Sequence, residues 1–408
     1  MPEKRIVLKN CELIDPKDIH TYLERGGFKA LAKALNDMTS DTVIEEVKLS
    51  GLRGRGGAGF PCGLKWEAAR RTEADEKFLI CNADEGEMGT FKDKYIMQND
   101  PFTLIEGIAI AAYAIGAKTA YVYLRGEYRY LIPILRNGIQ QATGKGLLDS
   151  LNLEVREGAG AYVCGEESAL MNSIEGRRGE ARYRPPFPPV SGLFGKPTVI
   201  NNVETLTNIP QIIMNGASWF SAIGTEKSKG TKVFSVSGDV KKPGIYELVM
   251  GSNLKELVFE RARAKRVKAV QVGGAAGMII PGSKIDTPLS FETVLGSGAV
   301  TVFDESRDII DMVYRTAEFF AEESCGKCAP CREGTQVLLE VLGRLTRGEG
   351  SHGDIEILED LSQVMMDSSL CGLGQSACVP VADSLRHFRS DYENRINQSM
   401  YLKKLSVS

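Results

Sequence analysis

The chain has 408 residues, 43% of them hydrophobic, which is enough to bury large cores in two or three domains. Its 50 Lys and Arg residues nearly balance its 53 Asp and Glu residues, which argues against a nucleic acid or an anionic membrane as partner. The opening residues show no signal-peptide core, so we expect a cytoplasmic protein. Nine cysteines, an odd number, favour reduced thiols or metal ligands over a secreted disulfide framework.

The first distinctive segment is a glycine-rich loop, LSGLRGRGGAGFPCGLKW, at residues 49–66. Gly54, Gly56 and Gly59 match G-x-G-x-x-G, but residues 41–51 before them have a helical pattern, whereas a dinucleotide fingerprint requires a strand there. The alternative is a flexible surface loop. We expect the glycines to let main-chain N–H groups approach a planar or phosphorylated ligand, with Lys65 adding positive charge.

A short apolar strand is predicted next, in KFLICNADEGEMGTFKD at residues 77–93. It is followed at once by polar side chains, which is the usual place for ligand contacts in an α/β sheet, although an acidic turn is often merely solvated. These side chains are Asn82, Asp84, Glu85 and Glu87. The apolar run at residues 104–117 contains Glu106 and is too short to span a bilayer, so it predicts a buried helix.

Two further segments combine glycine or proline with polar groups. EGAGAYVCGEESALMNSIEG, residues 157–176, opens a predicted helix with Glu166 and Glu167 in its first turn, where they could also be ordinary helix-dipole acids. RYRPPFPPVSGLFGKPTVINNVETLTN, residues 182–208, is a proline-stiffened loop with Phe187 and a polar run. That run contains Asn201, Asn202 and Thr205.

The chain after about residue 230 predicts two units. Residues 230–258 read as strand, turn, strand and helix, whereas residues 307–324, 335–350 and 353–370 have the apolar spacing of amphipathic helices. Such a succession of helices predicts a bundle from residue 311 to about 395.

The bundle carries five of the nine cysteines, and the other four are isolated and read as small buried side chains. Cys325, Cys328 and Cys331 have C-x2-C-x2-C spacing, which suits three corners of an iron-sulfur cubane and requires a fourth ligand from elsewhere. Cys371 and Cys378 are the nearby candidates. Zinc is the alternative, but closed zinc sites usually pair two C-x2-C units, so the spacing favours iron-sulfur.

Taken in order, these motifs closely resemble the NADH-binding flavoprotein subunit of respiratory complex I and its soluble relatives. Those relatives are the diaphorase-type subunits of NAD-linked hydrogenases and formate dehydrogenases, and the similarity runs from about residue 25 to 395. The resemblance implies a Rossmann-like α/β domain that binds FMN and NADH, with an N-terminal helical segment, at residues 1–225. It further implies a small β-grasp (ubiquitin-like) domain at 226–310 and a helical bundle with a [4Fe-4S] cluster at 311–408.

The resemblance also implies the site residues, by motif match. FMN would contact Gly54, Arg55, Gly56, Lys65, Asn82, Asp84, Glu85, Tyr162, Gly165, Glu166, Asn201, Asn202 and Thr205. NADH would contact Phe60, Glu87, Glu167, Arg184 and Phe187. The cluster would take Cys325, Cys328, Cys331 and Cys371, leaving Cys378 as a non-ligand. Met88, Cys62 and Arg184 depart from residues common in the family, which bears on nicotinamide affinity rather than on the chemistry.

The implied function is an NADH dehydrogenase (diaphorase) subunit that takes hydride from NADH onto FMN and passes single electrons to the [4Fe-4S] cluster and on to partners. No protein acid or base is needed, with Lys65 and Glu85 in supporting roles and Glu87 disfavouring NADPH. The expected partners are a thioredoxin-like [2Fe-2S] subunit and a larger iron-sulfur subunit, without nucleic acid or direct membrane insertion. The alternatives are the NAD(H)-reacting subunit of a soluble hydrogenase or formate dehydrogenase, whether electron-bifurcating or not, and a non-catalytic zinc-stapled scaffold.

Overall fold

The computed structural model describes residues 4–407, with side chains through residue 398; residues 1–3 and 408, at the outer ends of the first and last predicted domains, lie outside it. The chain begins with three helices, α1 (Ile19–Glu24), α2 (Lys29–Asp37) and α3 (Ser40–Leu49). Helix α3 ends directly before the glycine-rich loop. This confirms that a helix, and not a strand, precedes the G-x-G-x-x-G pattern.

A four-stranded parallel sheet forms the centre of the first half of the chain. Its strands are β1 (Phe78–Ala83), β2 (Thr119–Leu124), β3 (Asn152–Glu157) and β4 (Thr198–Asn202), in the order β3-β2-β1-β4. In the β1–β4 register, Cys81 lies opposite Asn201 and Asn82 lies opposite Asn202. Because parallel strands end at the same edge, this register brings the polar residues after β1 beside those at the end of β4.

Helices follow and flank this sheet. They are α4 (Cys62–Arg71), α5 (Lys92–Asn99), α6 (Pro101–Ile115), α7 (Ile132–Gly144), α8 (Glu167–Ile174), α9 (Val203–Asn215) and α10 (Ala217–Ser221). Helix α6 is the buried helix that the apolar run predicted, and the Asp100 side chain caps its N-terminus. Its carboxylate, Glu106, is buried, where it accepts hydrogen bonds from the Tyr22 hydroxyl and from main-chain N–H groups of Phe28 and Leu31.

A second, mixed sheet of five strands follows. It contains β5 (Thr231–Gly238), β6 (Gly244–Val249), β7 (Val267–Val272), β8 (Met278–Pro281) and β9 (Ala299–Asp304), in the order β6-β5-β9-β7-β8. The β5–β9 pair is parallel, and the other neighbours are antiparallel. A short π-helical segment, Glu256–Arg261, packs Leu257 and Val258 into the core of this unit.

Buried charges join the second sheet to the first half of the chain. Lys92 Nζ lies 2.7 Å from Asp93 Oδ1 and 2.9 Å from Glu204 Oε2, and Lys232 of β5 pairs with the same Glu204 oxygen. All four side chains are buried. Since an unpaired buried charge is costly, this cluster fixes β5 against helices α5 and α9.

The chain ends in helices α11 (Ile309–Glu323), α12 (Ala329–Thr346), α13 (His352–Ser368), α14 (Gly372–Ser376) and α15 (Val379–Val407). Their apolar faces share one core with the face of the first sheet formed by Phe78, Ile80 and Tyr121. Among the described residues, no helix is long and apolar enough to cross a membrane.

Candidate functional site

A cavity of about 250 Å³ lies at the carboxyl edge of the parallel sheet, and we call it the polar cavity. The predicted residues that line it are Gly56, Asn82, Asp84, Glu85, Glu87, Tyr162, Gly165, Glu166 and Asn202. It is also lined by residues that the sequence interpretation missed: Gly86, Thr90, Lys92, Asp93, Val163, Ser297, Gly372 and Leu373. The structure therefore gathers four separate motifs of the sequence around one space.

The glycine-rich loop reaches this cavity with its main chain. A Cβ atom at Gly56 would lie only 3.1 Å from Asn202 Cβ, so a side chain there would press on the cavity wall. The Arg55 guanidinium, in contrast, is buried and donates to the carbonyl groups of Arg53, Lys229 and Thr231. The side chain of Arg55 thus faces away from the cavity, and only its main chain lies near the predicted site.

The residues after β1 are held by one another. Asn82 Nδ2 donates to Gly165 O at 2.8 Å, and its Oδ1 accepts from Asp84 N at 3.1 Å. Glu85 accepts from the N–H groups of Asp93 and Lys94 at 2.8 and 3.0 Å, which fixes it at the start of α5. Asp84 Oδ2 is buried without a hydrogen-bond partner among the described residues.

The end of β4 supplies polar side chains of two kinds. Asn202 caps helix α9 and donates to Asp93 Oδ2 at 2.7 Å, with its side chain on the cavity wall. Asn201 Oδ1 instead accepts from Trp66 Nε1 at 2.7 Å, and Thr205 Oγ1 accepts from Arg55 N at 2.8 Å. Neither Asn201 nor Thr205 lines the polar cavity, so they hold the loops around it.

Glu87 and Tyr162 form a hydrogen-bonded pair in the wall of the polar cavity. The Tyr162 hydroxyl donates to Glu87 Oε2 at 2.7 Å, and the N–H of Ala276, from the second sheet, donates to Glu87 Oε1 at 3.3 Å. The Tyr162 ring packs edge-on against Phe319 of α11, with centroids 5.1 Å apart. The wall therefore joins all three parts of the chain.

A charged cluster at the N-terminus of α8 contains Glu167 and Arg184, two of the five residues predicted for NADH, together with Lys65 and Glu166. Glu167 accepts from Lys65 and from Arg184, each at 3.1 Å, and Arg184 also pairs with Glu166. Lys65 Nζ lies 5.9 Å from the centre of the Phe60 ring. Both Phe60 and Phe187 are 54% exposed, so their faces are open to a ligand.

A larger cavity of about 540 Å³, the arginine cavity, adjoins this cluster through Arg184. It is also lined by Arg177, Arg182 and Glu175, with Tyr183 and Phe194 among its aromatic residues. Glu175 Oε2 lies 2.8 Å from Arg182 Nη2 and 3.6 Å from Arg177 Nη1. The carboxylate of Glu175 therefore compensates part of the positive charge of the arginine cavity.

Four cysteines surround a small pocket at the end of the bundle, which we call the thiol pocket. It is lined by Cys325, Cys328, Cys331 and Cys371. Cys328 and Cys371 occupy the N-cap positions of α12 and α14. Among the described residues, no three His, Cys, Asp or Glu side chains are gathered around a single ion position.

Cys378 is placed differently. It is fully buried, and its thiol lies 3.3 Å from the Ser362 carbonyl oxygen, away from the pocket lining. The remaining isolated cysteines, Cys11, Cys62, Cys81 and Cys164, are buried free thiols, as predicted.

The residues around both spaces fit the expected groups. The unpaired Asp84 oxygen can accept a hydrogen bond from a flavin ring N–H or a ribityl hydroxyl. Because Gly56 has no side chain, the space beside Asn202 stays free for a bound ligand. A four-thiol lining has the donor chemistry of a [4Fe-4S] cluster. The polar cavity thus suits FMN, and the thiol pocket suits the cluster.

Three carboxyl groups of the polar cavity predict how stability depends on pH. Burial raises the pKa values of Asp84, Glu85 and Glu87 to about 7, above the values of about 4 in an unfolded chain. Between these values the folded protein binds more protons, so the free energy of unfolding falls as the pH rises from about 4 to 7 and stays low above that. We expect the melting temperature of the cofactor-free protein to fall by several degrees from pH 5.5 to 8. The Asp84→Asn/Glu87→Gln double variant should fall less, and an equal fall would contradict this assignment.

A parallel sheet with a flavin-compatible cavity, joined to a helical bundle with a four-thiol pocket, defines the class of iron-sulfur flavoproteins. A family model described as the Nuo51 FMN-binding domain matches residues 47–211. One described as the NADH-ubiquinone oxidoreductase-F iron-sulfur binding region matches residues 311–395.

Whole-chain comparisons agree. The second F-type subunit of the NADH-quinone oxidoreductase of Rhizobium meliloti (strain 1021) is 46% identical over 96% of this chain and 98% of its own length. The HndC subunit of the NADP-reducing hydrogenase of Solidesulfovibrio fructosivorans is 43% identical over 96% of this chain and 84% of its own length. A solved structure of an NAD+-reducing [NiFe]-hydrogenase in the H2-reduced state superposes with a TM-score of 0.88 at 41% identity, covering 97% of this chain and 67% of that chain.

The chain therefore belongs to the family of flavoprotein subunits that includes the F-type subunits of NADH-quinone oxidoreductases and their hydrogenase relatives. It is an oxidoreductase subunit that uses FMN, a [4Fe-4S] cluster and NAD(H). The family resemblance seen in the motifs is confirmed.

Proposed function

We propose that this chain oxidises NADH with FMN held in the polar cavity and delivers electrons singly through a [4Fe-4S] cluster in the thiol pocket to partner subunits. The observation that carries the proposal is that one residue, Leu373, lines both spaces. Leu373 would then lie between the sites that hold the two redox groups. FMN supplies the chemistry that converts a two-electron hydride into single electrons.

The protein residues bind and orient rather than transfer protons. We assign FMN to the thirteen positions given by motif match, with Arg55 contributing only its main chain and with Asn201 and Thr205 acting as supports for the loops. Lys65 and Arg184 bring positive charge beside Glu166 and Glu167 at the start of α8, and the open faces of Phe60 and Phe187 can stack on the bases of NADH. Catalysis would then come mainly from alignment of the nicotinamide.

The same proposal covers the organisation of the chain. We assign the FMN and NADH domain to residues 1–225, the second domain to 226–310 and the cluster-bearing bundle to 311–408. The sheet order β6-β5-β9-β7-β8, with a parallel central pair, supports a β-grasp domain in the middle. The cluster would be held by Cys325, Cys328, Cys331 and Cys371.

The electron acceptor lies in other chains. We propose a thioredoxin-like [2Fe-2S] subunit and a larger iron-sulfur subunit as partners, through which the protein would be peripheral to a membrane if the complex is membrane-bound. The hydrogenase relatives support the alternative of a soluble NAD(H)-reacting subunit, including an electron-bifurcating one. The zinc-stapled scaffold has no support from the comparisons, because the matched bundle model describes an iron-sulfur region.

The purified protein tests this function directly. We expect flavin and iron-sulfur absorption that bleaches when NADH is added without oxygen, and turnover with an artificial acceptor. Cys371→Ala should retain the flavin response and lose the iron-sulfur contribution. Isolated from its source, the protein should carry iron-sulfur partner subunits. Bound zinc, colourless protein, or a stable monomer that fully reduces its natural acceptor would each overturn part of the proposal.

A further inference from the structure

Leu373 occupies the boundary between the two candidate cofactor spaces. It is 7% exposed, lies two residues after Cys371 in the short helix α14, and belongs to the lining of both the polar cavity and the thiol pocket. Its neighbour Gly372 lines the polar cavity alone, and Leu370 lines the thiol pocket alone. The chain therefore crosses from one space to the other at this residue.

The position of Leu373 is tightly fixed by its neighbours. A Cβ atom at Gly374 would lie 2.6 Å from Ser369 Oγ and 2.8 Å from Cys331 Cβ, so α14 is packed directly against the thiol pocket. Leu373 O accepts a hydrogen bond from Ala377 N at 3.0 Å. Helix α14, which carries Leu373, is therefore held against Cys331.

The two sides of this boundary differ strongly in polarity. The polar cavity presents Asp84, Glu85 and Glu87 and is large enough for water, whereas the thiol pocket is lined mainly by cysteine and apolar side chains, with Ser324 and Lys327 as its polar members. An apolar shell around a metal site controls solvent access and thereby its reduction potential. The apolar side chain of Leu373 separates these two environments, because it offers no hydrogen-bonding group to water.

We propose that Leu373 is a positioning residue that seals the thiol pocket from the polar cavity, so that water and small solutes cannot pass between the two sites. This inference rests on the proposed placement of FMN and the cluster. Shortening the side chain in Leu373→Ala would open a passage toward the cluster. In this variant, bound FMN would block that passage, whereas in the wild type the Leu373 side chain already blocks it.

The test uses full-length protein with its cluster, either freed of FMN or saturated with it, and measures iron release to a ferrous chelator. In the wild type we expect release to be insensitive to FMN. In Leu373→Ala we expect release to be at least several-fold faster without FMN and to slow again when FMN is added. Hydration favours the more negatively charged reduced cluster, so its midpoint potential should also rise in this variant.

Two variants separate sealing from general packing. Leu373→Met conserves volume and should restore the wild-type behaviour. Leu338→Ala alters a 1% exposed leucine of the same core that lines neither space, and it should not create an FMN-dependent release. Release that is equally fast with and without FMN in Leu373→Ala, or FMN-dependent already in the wild type, would overturn the proposal. Because NADH is not used, these outcomes are independent of NADH bleaching.

Discussion

Replacing Cys371 with Ala is expected to remove the iron-sulfur cluster, whereas the same change at Cys378 is expected to leave it in place. Cys371, at the N-cap of α14, lines the thiol pocket together with Cys325, Cys328 and Cys331. Cys378, only seven positions on, is fully buried and directs its thiol to the Ser362 carbonyl. A cubane that loses one of four thiolates loses most of its binding energy, since no other cysteine of the described chain lines that pocket.

Iron and acid-labile sulfide per chain provide the measurement. Wild type and Cys378→Ala should contain about four of each, and Cys371→Ala should contain much less, because a [4Fe-4S] cluster needs four ligands. FMN content serves as the folding control, since both variants leave the polar cavity intact. Retention of the cluster in Cys371→Ala, with loss in Cys378→Ala, would reverse the ligand assignment.

Where short motifs carry the candidate site residues, the sequence predicted which of them would lie together. The three cysteines of the C-x2-C-x2-C motif and Cys371 line one pocket, and the acidic segment after β1 lies at the carboxyl edge of a parallel sheet. Both follow from local rules: ligand spacing within a turn, and the geometry of strand ends. The buried α6 helix and the helix before the glycine loop were predicted from periodicity for the same reason.

The rest depends on contacts between distant segments. Ser297 comes to the polar cavity from the second sheet, where no ligand pattern was seen, and Leu373 is an ordinary apolar residue whose role comes only from lying between two spaces. Arg55 stands inside the glycine motif, yet its guanidinium is used to hold the chain at Lys229 and Thr231. Neither side-chain direction nor a shared boundary is encoded in a linear spacing.

The choice of nucleotide is the point where the structure favours a different residue. The sequence interpretation gave the rejection of NADPH to Glu87, but Glu87 is bonded to the Tyr162 hydroxyl and to Ala276 N on the wall of the polar cavity. Burial raises its pKa to about 7, so its charge is incomplete at neutral pH. Glu167 instead lies between Lys65 and Arg184, and Lys65 in turn lies 5.9 Å from the centre of the exposed Phe60 ring.

Glu167→Gln should therefore raise kcat/KM for NADPH, whereas Glu87→Gln should leave the NADPH to NADH ratio nearly unchanged. Loss of the Glu167 charge frees Lys65, at 3.1 Å, to attract the 2'-phosphate, and removes a carboxylate that repels it; Arg184 stays partly neutralised by Glu166. A gain of about tenfold in the ratio, or about 1.4 kcal/mol of selectivity, is expected for such a partly exposed charge. NADH should lose less, because the amide still hydrogen-bonds ribose hydroxyls. Rates are compared with an artificial acceptor, so that no partner protein limits turnover. A larger change in Glu87→Gln than in Glu167→Gln would return the discrimination to Glu87, and a wild type that prefers NADPH would contradict both assignments.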